Sequence, residues 1–141
     1  MNSQKVLALK GLSKTFGPVV ANRDVSIDLH RGEVLALLGE NGAGKTTLMN
    51  MIFGHYMPDS GSVDIEDSAG TLVPLSLGHP QAAIAAGIGM VHQHFTLAEN
   101  LDALDNIMLG AERLNRFRRN KAAAIDKIKK IMANSGLSAP L

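Results

Sequence analysis

One stretch constrains this chain more than any other: Gly39-Glu40-Asn41-Gly42-Ala43-Gly44-Lys45-Thr46-Thr47. A glycine, four residues, a second glycine, then Lys and Thr is the spacing of a phosphate-binding loop. Glycine reaches positive φ and carries no Cβ, so backbone N–H groups can close around phosphate oxygens. At this spacing the Lys45 ammonium reaches β- and γ-phosphates, and the Thr46 hydroxyl can ligate Mg²⁺. The flanks suit that chemistry. Residues 33–38, ending Val34-Leu35-Ala36-Leu37-Leu38, form a short apolar run predicted as a buried strand. Residues 47–53 are predicted as a helix stopped by Gly54. Strand, loop and helix in that order aim the unpaired N–H groups of a helix start at the anion. A glycine-rich turn that merely precedes a lysine explains neither flank.

The 141 residues suffice for one domain with one core, and 45% hydrophobic composition favours folding over disorder. Cysteine is absent, which excludes a disulfide scaffold. A formal net charge of +1 argues against a whole-chain nucleic-acid footprint. No apolar run approaches the roughly 20 residues that span a bilayer. The first residues lack the apolar core of a secretion signal. A soluble protein is expected, linked to a membrane only through a partner.

Along the chain, residues 5–9 are predicted as a first strand and residues 11–17 as a turn-rich connection. Residues 25–29 alternate as a half-buried antiparallel strand does. Pro58-Asp59-Ser60-Gly61 signals a turn, and residues 62–67 with 71–73 form a predicted hairpin. Residues 80–86 are predicted as a short helix with Pro80 in its first turn and Gly87 beyond its end. Residues 88–91 are predicted as a second buried strand. Residues 102–109 then form a helix carrying Leu104, Ile107 and Met108, with Thr96 and Asp102 as rival N-caps. From Asn120 onward, Ala124, Ile125, Ile128, Ile131 and Met132 share one helical face. The basic residues from Arg113 to Lys130 then form the solvated side of an amphipathic helix rather than a nucleic-acid surface. Met49, Met51, Met90, Met108 and Met132 are expected as core filler. His92 and His94 flank Gln93 with no Cys or third ligand nearby, which disfavours a metal site.

These features together resemble the nucleotide-binding domain of ABC transporters. The resemblance covers nearly the whole chain. It rests on the early antiparallel segment, on Gly32-Glu33-Val34 leading into the loop, on Pro58-Asp59-Ser60-Gly61, and on Met90-Val91-His92-Gln93-His94-Phe95 as a Q-loop. It implies an α/β P-loop NTPase core of ABC type, with an N-terminal antiparallel β subdomain and the start of a helical subdomain. The chain is then one partial ATP-binding domain: residues 1–94 the β subdomain and loop core, residues 95–141 the first part of the helical subdomain. The resemblance assigns Phe16 to stacking on adenine, with Val20 or Val19 beside the sugar. Asn41, Gly42, Ala43, Gly44, Lys45, Thr46 and Thr47 would contact phosphate and Mg²⁺. Gln93 would touch Mg²⁺ near the γ-phosphate and sense the membrane partner. A hydrophobic plug is the duller reading of Phe16, and a surface polar residue that of Gln93.

The implied cofactors are ATP and Mg²⁺. The implied partners are membrane permease subunits docking on residues 95–110, a second ATP-binding domain packed head to tail, and a solute-binding protein. The place is the cytoplasmic face of the cell membrane. The wording of the loop and of the His-Gln-His-Phe segment looks most like ATPases of bacterial nucleoside or simple-sugar importers. A small-molecule kinase shares the loop, but such enzymes begin almost directly with the loop strand, whereas here an antiparallel segment precedes it. A soluble ABC relative acting in DNA repair or translation shares the fold.

Phosphoryl transfer to water also needs a second hold on Mg²⁺ and a group that orients the attacking water. In the family these are an apolar strand ending in Asp-Glu and a later His. Asp64, Glu66 and Asp67 lie in the predicted hairpin, Asp102 and Asp105 in a helix, and all 5 histidines fall at or before residue 94. A Leu-Ser-Gly-Gly-Gln signature is absent. Truncation within the helical subdomain is expected, leaving apolar faces and an open sheet edge that favour association. The chain is predicted to bind nucleotide weakly at best and not to turn it over. A phosphate-release assay checks this: background rates are expected, and turnover abolished by Lys45→Ala would refute it.

Overall fold

A computed structural model describes residues 4–92, 97–109 and 121–136. Two compact units emerge, Met1–Val91 and His92–Leu141. The first is built on a four-stranded antiparallel sheet in the order β2-β1-β3-β4, with β1 at Lys5–Phe16, β2 at Val19–His30, β3 at Ser60–Glu66 and β4 at Leu72–Pro74. The β3–β4 hairpin lies where alternation and the turn residues placed it.

β1 is longer than expected. Residues 11–16 continue the strand instead of leaving it, through register shifts between Leu9 and Leu12 and between Leu12 and Lys14. Such bulges leave backbone donors out of the ladder. Hydroxyls recover two of them: Gly11 N–H donates to Ser26 Oγ at 2.9 Å, and Asp24 N–H to Ser13 Oγ at 2.9 Å. Gly11 sits at φ 60, so residues that read as a turn serve as a bulge.

Helix α1, Lys45–Phe53, starts at the loop and ends at Gly54, whose φ of 88 is the left-handed stop expected of a C-terminal glycine. Leu48, Met51 and Ile52, spaced to share a helix face, pack on Leu9, Leu12 and Val63 of the sheet. Leu7, Val25, Ile27, Leu75, Leu77 and Ile88 close around this cluster. Burying each such side chain contributes about 1.5–3 kcal/mol. Met51 and Met108 are buried as expected, but Met49 is exposed. Helix α2, Pro80–Ala85, has Pro80 in its first turn, as expected.

The two predicted buried strands are not formed among the described residues. Residues 33–40 and 88–91 carry no strand, and Val34 (96% exposed), Leu38 (89%) and Val91 (80%) face outward. An interior strand of a parallel sheet draws ladder hydrogen bonds from neighbours on its sides, and neither run belongs to the four-stranded sheet. Apolar sequence makes a strand only where another strand pairs with it.

In the second unit, helix α3, Ala103–Met108, is capped by Asp102, whose carboxylate accepts from Asp105 N–H at 2.7 Å. That decides between the rival caps; Thr96 lies outside the described residues. Leu104 and Met108 are buried, while Ile107 is exposed. Helix α4, Lys121–Ser135, packs on α3, and Lys121 Nζ pairs with Asp105 at 2.9 Å. Ala124, Ile125, Ile128 and Met132 are half-buried, and Ile131 is exposed.

Gly61 and Gly87 separate two costs of a side chain. Both have positive φ, 92 and 89, but a Cβ on Gly61 would lie 2.5 Å from the Gly11 carbonyl oxygen, whereas one on Gly87 meets nothing within 4 Å. Gly87→Ala is predicted to cost only the left-handed backbone penalty, about 1–2 kcal/mol. Gly61→Ala is predicted to cost more, because β1 has to move. Denaturation midpoints followed by circular dichroism check the order.

Candidate functional site

The loop before α1 is shaped by two left-handed glycines, Gly42 at φ 86 and Gly44 at φ 85. Gly44 is the N-cap of α1 and brings no side chain to cap it. The first helical bond runs from Leu48 N–H to Gly44 O at 2.9 Å. The amides of Lys45, Thr46 and Thr47 are therefore helix-start donors with no intrahelical partner, at the positive end of the helix dipole. Asn41, Gly42 and Ala43 are exposed, as is Thr46, while Thr47 is half-buried.

Lys45 folds back over the loop. Its Nζ donates to Gly39 O at 2.6 Å and to Glu40 O at 2.7 Å. An ammonium has three donors, so this clasp leaves one for an anion. The clasp holds the cation against the first two residues of the loop.

The loop is seated against β2. A Cβ on Gly44 would stand 2.1 Å from Ala21 O, closer than any non-bonded carbon approaches an oxygen. Beside it, the buried Asn22 donates through Nδ2 to Gly44 O at 3.3 Å. Neither Ala21 nor Asn22 stood out in the sequence. Asn22 lies in the polar run Asn22-Arg23-Asp24, which hides any alternation.

The β1–β2 hairpin also carries the aromatic end of the site near the loop. Phe16 and Val19 face each other across the β1–β2 turn, and Val20 pairs with Thr15. Val20 adjoins Ala21, and Val19 lies two residues away, about 7 Å along a strand. The loop contact at Ala21 and the Phe16 ring thus lie on one hairpin. Phe16 is 44% exposed, so it is a presented ring and not a buried plug. Val19 and Val20 are exposed beside it.

Asp59, which read only as a turn residue, fastens this end. Its carboxylate accepts from Lys14 Nζ at 2.8 Å and from Thr15 N–H and Thr15 Oγ1, each at 2.7 Å. The bond from Lys14, then those from Thr15, lower the Asp59 carboxyl from its ordinary 3.8 to about 2. Gln93 and His94 lie outside the described residues.

A profile of the family described as ABC transporter matches residues 22–139. The chain belongs to the ABC transporter family. Among curated relatives, a ribose import ATP-binding protein of Burkholderia thailandensis is 42% identical over 141 residues, covering 96% of this chain and 27% of the relative. A glucose import ATP-binding protein of Haloferax volcanii is 46% identical over 110 residues, covering 78% of this chain and 19% of the relative. A guanosine import ATP-binding protein of Bacillus subtilis is 37% identical over 132 residues, covering 94% and 25%. The chain thus spans about a quarter of the length of the curated relatives it matches. A solved nucleotide-free ATP-binding cassette from an ABC transporter superposes with a TM-score of 0.70 at 25% identity, covering 92% of this chain and 53% of that one. The fold is that of the ABC-type P-loop core. Membership of this family displaces the small-molecule kinase reading.

Asp59 generates a pH prediction. Its carboxyl is lowered in the folded state, so its stabilisation is complete above the ordinary value of 3.8 and is lost as pH falls through about 2. The stability difference between the wild type and Asp59→Asn is predicted to be largest above that window and to close within it. Thermal melts of both proteins across acid pH measure this.

Proposed function

We propose that this chain is the ATP-binding part of an ABC import subunit that couples ATP binding and hydrolysis to uptake of a simple sugar or nucleoside. The observation that carries the reading is the uncapped start of α1 beneath the Lys45 clasp. Donors of fixed direction and one cation converge there, as a polyphosphate tail requires. The two left-handed glycines and the exposed loop backbone fit such a tail sterically. The import relatives named above support the choice of transport.

In this reading the backbone of Asn41, Gly42, Ala43 and Gly44 cradles the phosphates, and the amides of Lys45, Thr46 and Thr47 complete the cup. Lys45 supplies the counter-charge. Phe16 stacks on adenine, and Val20 or Val19 packs beside the sugar. Mg²⁺ fits a single exposed hydroxyl at Thr46, because this ion keeps several waters and takes its other ligands from substrate phosphates. When bound, it neutralises charge on the phosphates. Gln93 would be a further ligand of the ion and the sensor of the permease.

Permease subunits, a second ATP-binding domain and a solute-binding protein complete the transporter. The proposed location is the cytoplasmic face of the membrane, reached through the permease. No helix among the described residues is long and apolar enough to cross a bilayer. The proposed domain division is a β subdomain and loop core over residues 1–94, followed by the first part of a helical subdomain.

Calorimetric titration with Mg-ATP tests the reading. Lys45→Ala is predicted to weaken binding by about tenfold to a hundredfold, the loss of one charged hydrogen bond. An unaltered affinity, or no binding by the parent protein, would remove the basis for the proposal.

A further inference from the structure

One aromatic side chain beside the site has no part in the function proposed above. Tyr56 follows α1, and its N–H donates to Asn50 O at 3.2 Å, next to the bond from His55 N–H to the same oxygen at 2.8 Å. Tyr56 is thereby tied to the far end of the helix that begins at Lys45. Its ring lies 5.5 Å from that of Phe16, centroid to centroid, at an interplanar angle of 74°. This is an edge-to-face pair between residues far apart in sequence.

The contact is held from both sides. Asp59 N–H donates to Ser13 O at 2.9 Å, and the Asp59 carboxylate grips Lys14 and Thr15, so residues 56–59 brace residues 13–16. Tyr56 is 40% exposed and Phe16 44%. The pair is therefore not part of the buried core, where aromatic contact follows from packing alone. An isolated, half-exposed phenylalanine at a strand end would spread over several rotamers. Here the Phe16 ring lies between the Tyr56 ring and the Lys14 ammonium, the latter 5.5 Å from its centroid, and both contacts restrict its rotation.

We propose that Tyr56 is a positioning residue for the base, setting the Phe16 ring in the orientation on which a planar purine stacks. The inference rests on the nucleotide reading given above. Tyr56 does not touch phosphate in this scheme, so its effect is confined to ligands that carry a base.

The test compares Mg-ATP with inorganic tripolyphosphate, which has the phosphates and no base. For the 141-residue chain, Tyr56→Leu is expected to weaken ATP binding by about three- to tenfold, the range of one aromatic pair, and to leave tripolyphosphate binding unchanged. Tyr56→Phe keeps the ring contact and is expected to restore ATP affinity. A second readout needs no substitution. The chain has 1 tyrosine and no tryptophan, so its intrinsic emission comes from Tyr56. Corrected for nucleotide absorption, that emission is expected to change on adding ATP and not on adding tripolyphosphate.

Equal loss of both ligands in Tyr56→Leu, or no loss of either, overturns the role of Tyr56. So does an emission that responds to both ligands alike. In those cases, ATP binding that still depends on Lys45 leaves the nucleotide reading standing. A wild-type chain that binds neither ligand even at millimolar concentration, where weak binding registers, overturns both.

Discussion

The contact between Gly44 and Ala21 is the constraint on which the site depends. At this point the end of the phosphate loop touches the backbone of β2, and the space for a Cβ is taken by a carbonyl oxygen 2.1 Å away. Only glycine satisfies both that approach and the left-handed φ of 85. With the contact made, α1 starts against the sheet, its Leu48 and Met51 reach Leu9, Leu12 and Val63, and its first N–H groups stay without a side-chain cap. The hydrogen bond from Asn22 to the Gly44 carbonyl holds the same junction with a side chain.

From that junction, β2 acts as a ruler. The strand that supports the loop at Ala21 and Asn22 carries Val19 and Val20 toward its turn, and the turn brings Phe16 beside them. The phosphate end and the aromatic end of the site are thus two stretches of one hairpin, not separate loops. Hairpin geometry is stiff because every second residue is pinned by ladder bonds, and the bulges near Gly11 adjust its course. Asp59 adds a second attachment from the segment after α1, so the helix, the turn after it and the hairpin form a closed circuit around the core.

Much of the architecture was legible locally. The extent of α1, its stop at Gly54, the β3–β4 hairpin and the Pro80 helix each follow from nearest-neighbour chemistry: a left-handed glycine, an alternating pattern, a proline in the first turn. The errors share another cause. Apolarity alone predicts buried strands at residues 33–38 and 88–91, and glycines and polar side chains predict a connection at residues 11–16. Pairing decides such segments, and pairing is a property of two stretches at once. The β1 segment has partners on both sides and stays extended through Gly11; the two apolar runs lie outside the four-stranded sheet.

The residues alone determined that a glycine loop with a lysine would stand at the start of a helix, because glycine spacing, a lysine and a helix signal are all local properties of the chain. Tertiary structure alone decided what surrounds that loop. Ala21 and Asn22 seat it, Asp59 fastens the strand beside it, and Tyr56 meets Phe16 across 40 positions of sequence. None of these residues carries a motif. Each acquires its role from the partner that folding brings within a few ångströms, and such distances are set by the packing of α1 on the sheet.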